Sequence, residues 1–416
     1  MNSLIMLKEF FADIKQQKLR AFLTTLAIVW GTFSIILLMA FGKGLGFRMR
    51  ESFLNAGDMI IRIYGGQTTQ KYEGLPVGRR IQLVEEDMWL LKNSIPEIDG
   101  VSCQHNRGVH LRNGDKAART HMEGVFPEFE WLRRMPPALG GRFINRNDVV
   151  ERRRVVFLGG EIAWELFGRP NPVGETVQVD GLPFTIIGTM PKKTQTSMNN
   201  GPDDRRAIIP FSTFEGIYGY HYISELIVHP VTPRDAEYVE LRVREILGTK
   251  YKFDPSDKHA VPMWNFVEQE EQSSKVFTGL NIFLGFIGAM TLVIAGVGVA
   301  NIMYVVVKER TREIGIKKAL GAKRKMILNQ YLMETFVITA IGGVIGFLIS
   351  FGLVSVINML DLKEYIGVLS ISALVAILTI TILGIIGLIA GWFPAKHAAS
   401  LVQSRIKALE KIERLE

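Results

Sequence analysis

Cysteine is almost missing from this chain. Cys103 is the one thiol among 416 residues, so no intrachain disulfide and no site built from several thiolates can form. A domain of ordinary size can hold together by its core alone, so the scarcity does not fix the compartment. Phosphate-loop text is missing too: the nearest stretch, Gly42-Lys43-Gly44, lacks the glycine spacing and the hydroxyl residue of G-x-x-x-x-G-K-[ST]. The seven histidines (His105, His110, His121, His221, His229, His259 and His397) never fall in H-E-x-x-H or a comparable ligand spacing. Neither a serine nucleophile elbow nor carboxylates paired at a defined spacing can be made out. The expectation is a non-enzymatic chain with no catalytic residue, no metal and no cofactor of its own. A net charge of +8 would suit nucleic acid, but no recognition helix or aromatic-basic platform accompanies it, and the surplus cations crowd beside apolar runs. Nucleic acid is therefore not an expected partner; a lipid bilayer is.

Charge is absent from three long stretches and reduced to Glu334 in a fourth. Ala21 to Phe41 holds none over 21 residues, enough at about 1.5 Å per residue to cross a hydrocarbon core of about 30 Å. Residues 277–307, 326–357 and 371–393 are similar, and the second of the four runs exceeds what a bilayer needs by about ten residues, which predicts an outer stalk. Between the second and third runs lies Lys308 to Lys325, KERTREIGIKKALGAKRK, with eight basic and two acidic residues. Such a block cannot sit in lipid, and its basic excess places it in the cytoplasm. Arg312 to Leu320, with Ile314, Ile316, Ala319 and Leu320 as its apolar set, predicts a short helix with one face to the bundle and one to a soluble partner.

The topology follows from that orientation. Residues 1–20, with Leu7, Phe10, Phe11 and Ile14 at helical spacing, predict an amphipathic helix in the cytoplasmic interface. The first span is 21–41, too long a run for a cleaved signal peptide. Residues 42–276 form a large domain outside the cytoplasm. The second span, the cytoplasmic loop at 308–325, the third span, an outer turn at 358–370 and the fourth span complete the order. A basic tail at 394–416, with Lys396, Arg405, Lys407 and Lys411, leaves both termini inside.

Within the outer domain, Asp58 to Tyr64, Val84 to Ser94 and Gly100 to Leu111 read as strand, helix and strand. Tyr222 to His229, Pro233 to Leu247 and His259 to Phe266 repeat that order. Two βαβ units parted in sequence predict a split, ferredoxin-like α/β layer. The stretch between them, about 140–210, carries RRRVVFLGG, ETVQVDGLPFTIIG and RRAIIP with turns at Asn171-Pro172 and Asp180-Gly181, and predicts a small inserted β subdomain. Gly65 to Arg80 and Pro191 to Arg206 collect turn residues without periodicity and read as mobile loops, candidates for substrate or partner contact.

The spans hold small residues four apart, Gly285 with Ala289, Gly342 with Gly346 and Gly387 with Gly391, which predict close helix packing. No charge lies in mid-span, which argues against an ion path; Glu334, about 13 Å along a helix from Lys325, is expected to reach back to a cytoplasmic-side cation.

From Val293 to Gly346 the text VIAGVGVANIMYVVVKERTREIGIKKALGAKRKMILNQYLMETFVITAIGGVIG resembles the MacB/FtsX-like permeases of ABC transporters. KLRAFLTTLAI at the first span, ELFGRPNPVGETVQVDGLPFTIIG in the insert and FPAKHAA after the fourth span support it, and the resemblance covers the whole topology. It implies a four-span bundle with a periplasmic domain in the inner membrane, paired with a second copy or a paralogous permease. Each permease would sit on a separate ATPase subunit that holds ATP and magnesium. Carried over, Glu309, Arg310, Thr311, Arg312, Glu313, Gly315 and Lys317 would touch that ATPase, and Gly321 would end the coupling helix. The outer domain resembles the MacB-like branch, which implies export from the periplasm or outer leaflet towards an adaptor and an outer-membrane duct. Best-known members carry a fused ATPase domain that these residues do not. An FtsX-like regulator of a cell-wall hydrolase and a lipoprotein-extracting permease are the alternatives within the family.

Overall fold

A computed structural model describes residues 18–57, 59–193, 201–360, 362 and 366–413. The interfacial helix expected at 1–20 falls almost wholly outside them, as do Asp361, Lys363 and Glu364 of the outer turn. In chain order the elements are α1 (Lys18–Ala56), β1 (Ile61–Ile63), α2 (Glu85–Ser94), β2 (Ile98–Asn113), β3 (Lys116–Val125), α3 (Phe129–Leu132), α4 (Arg146–Val150), β4 (Val155–Leu158), α5 (Gly160–Phe167), β5 (Thr176–Val179), β6 (Leu182–Thr189), β7 (Arg206–Pro210), α6 (Phe211–Tyr218), β8 (Glu225–Pro230), α7 (Ala236–Tyr251), β9 (Met263–Asn265), α8 (Phe266–Glu309), α9 (Thr311–Ala319), α10 (Arg324–Met359) and α11 (Ala373–Glu413). They divide into two compact units, Met49–Lys275 and the remainder, Met1–Arg48 with Val276–Glu416.

The first unit contains the expected split layer. Strands β2, β8, β1 and β9 lie side by side in that order, every neighbouring pair antiparallel, which is the ferredoxin-like arrangement of two βαβ units. Val239, Val243 and Leu247, one face of α7, share a core with Met88 and Leu91 of α2 and with Ile61, Ile63, Cys103, Leu226 and Val228 of the strands. Cys103 is fully buried there, and burial pushes its thiol up. The core explains why one unpaired thiol suffices.

The inserted subdomain begins earlier than about 140. β2 is 16 residues long: its first half pairs with β8, and its second half pairs with β3 and, through Leu111 and Arg112, with β5. Pairing continues from β3 through β7, β4, β6 and β5 back to β2, so six strands close a ring, and its core includes α5 and α6 residues such as Ile162, Leu166 and Phe214. One strand thus serves two subdomains, which no break in composition could reveal. The Asp180-Gly181 pair makes the β5–β6 turn with both residues at positive φ, +46° and +84°, as a type I′ hairpin requires.

Gly65 to Arg80 is not a mobile loop. Gly66 and Gln67 donate backbone bonds to Ala260 and His259, and the Asp257 carboxylate accepts from the Thr69 amide and hydroxyl, the Gln70 amide and the His259 amide. Arg79 caps the carbonyls of Tyr251 and Lys252 at the end of α7. Of Pro191 to Arg206, residues 194–200 lie outside the described set, while Asp203–Arg205 form a 3₁₀ turn in which Asp203 and Asp204 are buried.

The first span expected at 21–41 lies inside a longer helix, and one element boundary differs from the sequence reading. α1 continues past Gly42 to Ala56, and Gly42, Gly44 and Gly46 are contact positions facing Asn281, Leu369 and Phe277. α8 starts at Phe266, eleven residues before the expected 277, because the Asn265 side chain accepts the amides of Val267 and Glu268 and caps it, which leaves β9 only three residues. At that edge Ile61 pairs with Asn265, and Arg50 of α1 meets Glu270 of α8 at 3.0 Å.

The second unit is a bundle in which α1, α8, α10 and residues 373–396 of α11 are long and apolar enough to cross a membrane. Ile28, Ile35, Leu292, Val299, Met303, Tyr331, Leu383 and Ala390 form its core. Phe22, Trp30, Ile282, Phe286, Phe351, Ile380 and Phe393 stay exposed on its outside, a distribution that suits lipid and not water.

Candidate functional site

The charged block folds as a helical hook. α8 ends at Glu309, and α9 starts at Thr311 after a turn at Arg310: the Arg310 amide donates to Val306 O and the Ile314 amide to Arg310 O, both at 3.0 Å, and the Thr311 hydroxyl donates to Lys308 O at 2.7 Å. Gly321 ends α9 in the left-handed region at φ +93°. Its amide donates to Lys318 O and the Ala322 amide to Lys317 O, both at 3.0 Å, which is the paired bonding of a Schellman motif. Glycine is needed there, since a Cβ at that φ is strained.

The expected apolar set separates onto two faces. Ile314 is buried beside Val307, Ile327 and Tyr331, and α9 packs on α11. Ile316 and Leu320 are exposed, Leu320 at 84%, and stand beside exposed Arg312 and Glu313. Glu309 is exposed, Arg310, Thr311, Gly315 and Lys317 are half-buried, and Glu313 pairs with Lys317 at 3.2 Å. Lys318 is lowered by burial and by Arg324 beside it. Two aliphatic side chains among charges at a helix surface form a ready contact for a folded partner.

Small residues set the crossings above the hook. A Cβ on Gly342 would lie 2.8 Å from Ile28, and one on Gly346 would lie 2.8 Å from both Thr32 and the Val29 carbonyl, so α10 presses directly on α1. Gly387 and Gly391 of α11 meet Thr339 and Thr335 of α10, whose hydroxyls bond back to the carbonyls of Thr335 and Tyr331. Gly285 makes ordinary contact with Met39, but the close approach of α8 to α1 is at Gly288 against Ile35, and Ala289 is only half-buried. Gly288 is missing from an i, i+4 search because it stands three residues after Gly285, an equally valid same-face spacing. Glu334 is buried and bonded by Gln330 at 3.3 Å.

Sequence reasoning missed the other concentration of chemistry, a run of buried ions in the Met49–Lys275 unit. Arg62 pairs with Glu225, Arg206 with Glu123, and Asp203 accepts from Arg133 at 2.9 Å and Lys193 at 3.1 Å. Burial alone would raise Asp203, but Arg133, Arg206 and Lys193 hold it well below the usual carboxylate range. Burial lowers Lys193 to about 8, with Asp203 opposing. The cluster joins β1 and β8 of the ferredoxin-like layer to β3 and β7 of the ring. Its residues are far apart in sequence and share no motif; alternation with a charge at an inward position, as in Arg206 of RRAIIP, is the faint signal. Among the described residues no group of three or more metal-ligating side chains occurs.

Comparison with known proteins matches both parts. The family described as MacB-like periplasmic core domain matches residues 21–246, and that described as FtsX-like permease C-terminal matches residues 285–402. The chain is 28% identical over 399 residues to the macrolide export ATP-binding/permease protein MacB of Bdellovibrio bacteriovorus, covering 95% of this chain and 60% of that protein. It is 30% identical over 398 residues to the protein of the same name in Chlorobaculum tepidum, covering 94% and 59%. The solved periplasmic region of MacB from Actinobacillus actinomycetemcomitans aligns with 54% of this chain and 96% of its own at 20% identity and a TM-score of 0.42. The chain thus spans about three fifths of the length of the curated relatives it matches.

Proposed function

Since the chain belongs to the family of MacB-like ABC transporter permeases, we propose that it transmits movement from an ATPase subunit across the membrane to its outer domain and so drives export from the periplasm or outer leaflet. The observation that carries this reading is the surface of α9: Ile316 and Leu320 are left in solvent among Arg312 and Glu313, at the end of a capped helix rooted in the bundle through Ile314. A topology anchor needs only the charges; exposed aliphatics at a fixed position fit a docking knob. In this reading Glu309, Arg310, Thr311, Arg312, Glu313, Gly315 and Lys317 form the contact, the hook lies in the cytoplasm with both termini, and ATP and magnesium are held by the partner.

α1 and α8 are each one unbroken helix, Lys18–Ala56 and Phe266–Glu309, and Arg50 of the first pairs with Glu270 of the second. A helix transmits displacement along its axis far better than a loop would, so these two are the proposed transmission rods, biased between two arrangements by the nucleotide state. Packing at Gly342, Gly346, Gly387 and Gly391 lets α1, α10 and α11 move together. A second copy of the chain, or a paralogous permease, completes the transporter, with an adaptor and an outer-membrane duct as further partners.

The test is capture of the tagged chain from its native membrane, solubilised in detergent, with mass spectrometry of what co-purifies. An ABC ATPase with an adaptor is the expected result. A cell-wall hydrolase or a lipoprotein carrier in the adaptor's place would replace export by regulation or extraction, and the absence of any ATPase after crosslinking would overturn the reading.

A further inference from the structure

In the Met49–Lys275 unit a cavity of about 670 Å³ opens between the last turns of α1, the segment from α3 to Pro136 and the end of β6. Its volume lies in the range of small-molecule sites. The lining combines three chemistries. Glu51 and Glu130 supply carboxylates, Arg134 and Lys192 supply cations, and Trp131 and Met190 supply an apolar wall. Trp131 lines this space and is 44% exposed, yet its ring is held in place. Its far edge lies against Gly100, where a Cβ would come within 2.3 Å, and it meets His229 edge-on at 5.1 Å. Lys193 closes the floor, its ammonium fixed by Arg133 O at 2.7 Å and by Asp203, so the cavity rests on the buried ion cluster instead of on a loose loop. Burial raises Glu130, a shift that a cation seated beside it would reverse.

We propose that the cavity binds a zwitterionic phospholipid of the phosphoethanolamine class. The ammonium sits between Glu51 and Glu130, the phosphate takes Arg134 and Lys192, and the glycerol and upper chains lie on Trp131 and Met190. An anionic headgroup alone would leave the two carboxylates facing its negative charge, and a free headgroup would leave the apolar wall wet. That the bound lipid is transported cargo rests on the permease reading; the binding itself does not.

The experiment is calorimetric titration of the full chain, held in amphipol, with dihexanoylphosphatidylethanolamine below its micellar concentration. Dihexanoylphosphatidylglycerol and O-phosphoethanolamine serve as comparison probes. The expected result is saturable binding of one phosphatidylethanolamine per chain, about tenfold tighter than phosphatidylglycerol, with the free headgroup weaker still. Glu130→Gln should weaken phosphatidylethanolamine about tenfold and leave phosphatidylglycerol unchanged, while Lys192→Glu should weaken both lipids. No saturable heat, equal affinity for the two lipids, equal affinity for the free headgroup, or an unchanged Glu130→Gln variant would each overturn the site. Because no ATPase is present, failure here leaves the permease reading intact, and failure of the capture experiment leaves this binding intact.

Discussion

Arg62 on β1 and Glu225 on β8 meet as a two-pronged ion pair, Nε to Oε1 at 2.9 Å and Nη2 to Oε2 at 2.5 Å, with side chains only 2% and 0% exposed. Both charges have given up water, so each depends on the other. Glu225→Gln should therefore lower the stability of the full chain by about 3–5 kcal/mol, since the Arg62 guanidinium is left buried without its counter-charge. Replacing both, Arg62→Met with Glu225→Leu, should cost much less than the single change. Thermal unfolding of the two variants in detergent checks the order; a single variant as stable as the parent would remove the pair's structural role.

His105 gives the outer unit a defined response to acid. Its ring is buried on β2, stacked on Phe211 at 4.5 Å and Phe214 at 5.2 Å, with Glu215 3.4 Å from Nε2. Burial lowers it to about 4, against an opposing bond with the Tyr222 backbone. A lowered folded value means that, below about pH 6.5, the unfolded chain takes up a proton that the folded chain refuses. Stability should fall as pH drops from about 6.5 to about 4, by up to about 3 kcal/mol from this group. His105→Phe keeps the stack without the proton and should flatten melting temperature against pH in that window only; an unchanged slope would assign it to other groups.

Gly346 and Gly352 sit on the same helix six residues apart and should respond oppositely to enlargement. A Cβ on Gly346 meets Thr32 and the Val29 carbonyl at 2.8 Å, whereas one on Gly352 meets nothing within 4 Å. Gly346→Leu should destabilise the bundle by about 1–3 kcal/mol or more through overpacking, and Gly352→Leu should be neutral. Melting of the two variants in the same detergent reads the contrast directly.

The layers of the molecule differ in how far sequence exposes them. The spans are legible because a run such as Ala21 to Phe41 must be apolar on every side, and the split βαβ order is legible because short β-rich runs such as Glu225–Pro230 alternate with helix-length segments such as α2 and α7. What stayed hidden depends on contacts between distant residues. The far half of β2 belongs to a ring that only its partners β3 and β5 define, and α1 passes through Gly42, Gly44 and Gly46, which face Asn281, Leu369 and Phe277. The hook's charges and its Gly321 cap were legible as residues, yet only packing divides Ile314 from Ile316 and Leu320. Asp203 looked like part of a loose turn and is instead the most heavily paired carboxylate of a buried cluster.

That division of the α9 apolar set yields the sharpest test of the coupling surface. Leu320 makes no contribution to the bundle core and Glu313 has only an exposed pair with Lys317, worth a few tenths of a kcal/mol, so neither Leu320→Gln nor Glu313→Lys should shift the melting temperature appreciably. Both should weaken association with the ATPase by about thirtyfold, the loss of a central contact worth about 2 kcal/mol, and reduce transport correspondingly. Ile314→Asp is the counterpart: it buries a charge under the hook and should unfold the bundle end before any coupling can be measured. Co-purification yield and melting temperature, taken together on the three variants, separate docking from folding. If Leu320→Gln and Glu313→Lys retain the ATPase as fully as the parent chain, the exposed face of α9 is not the contact, and the transmitting surface must be sought on the buried side or on another loop.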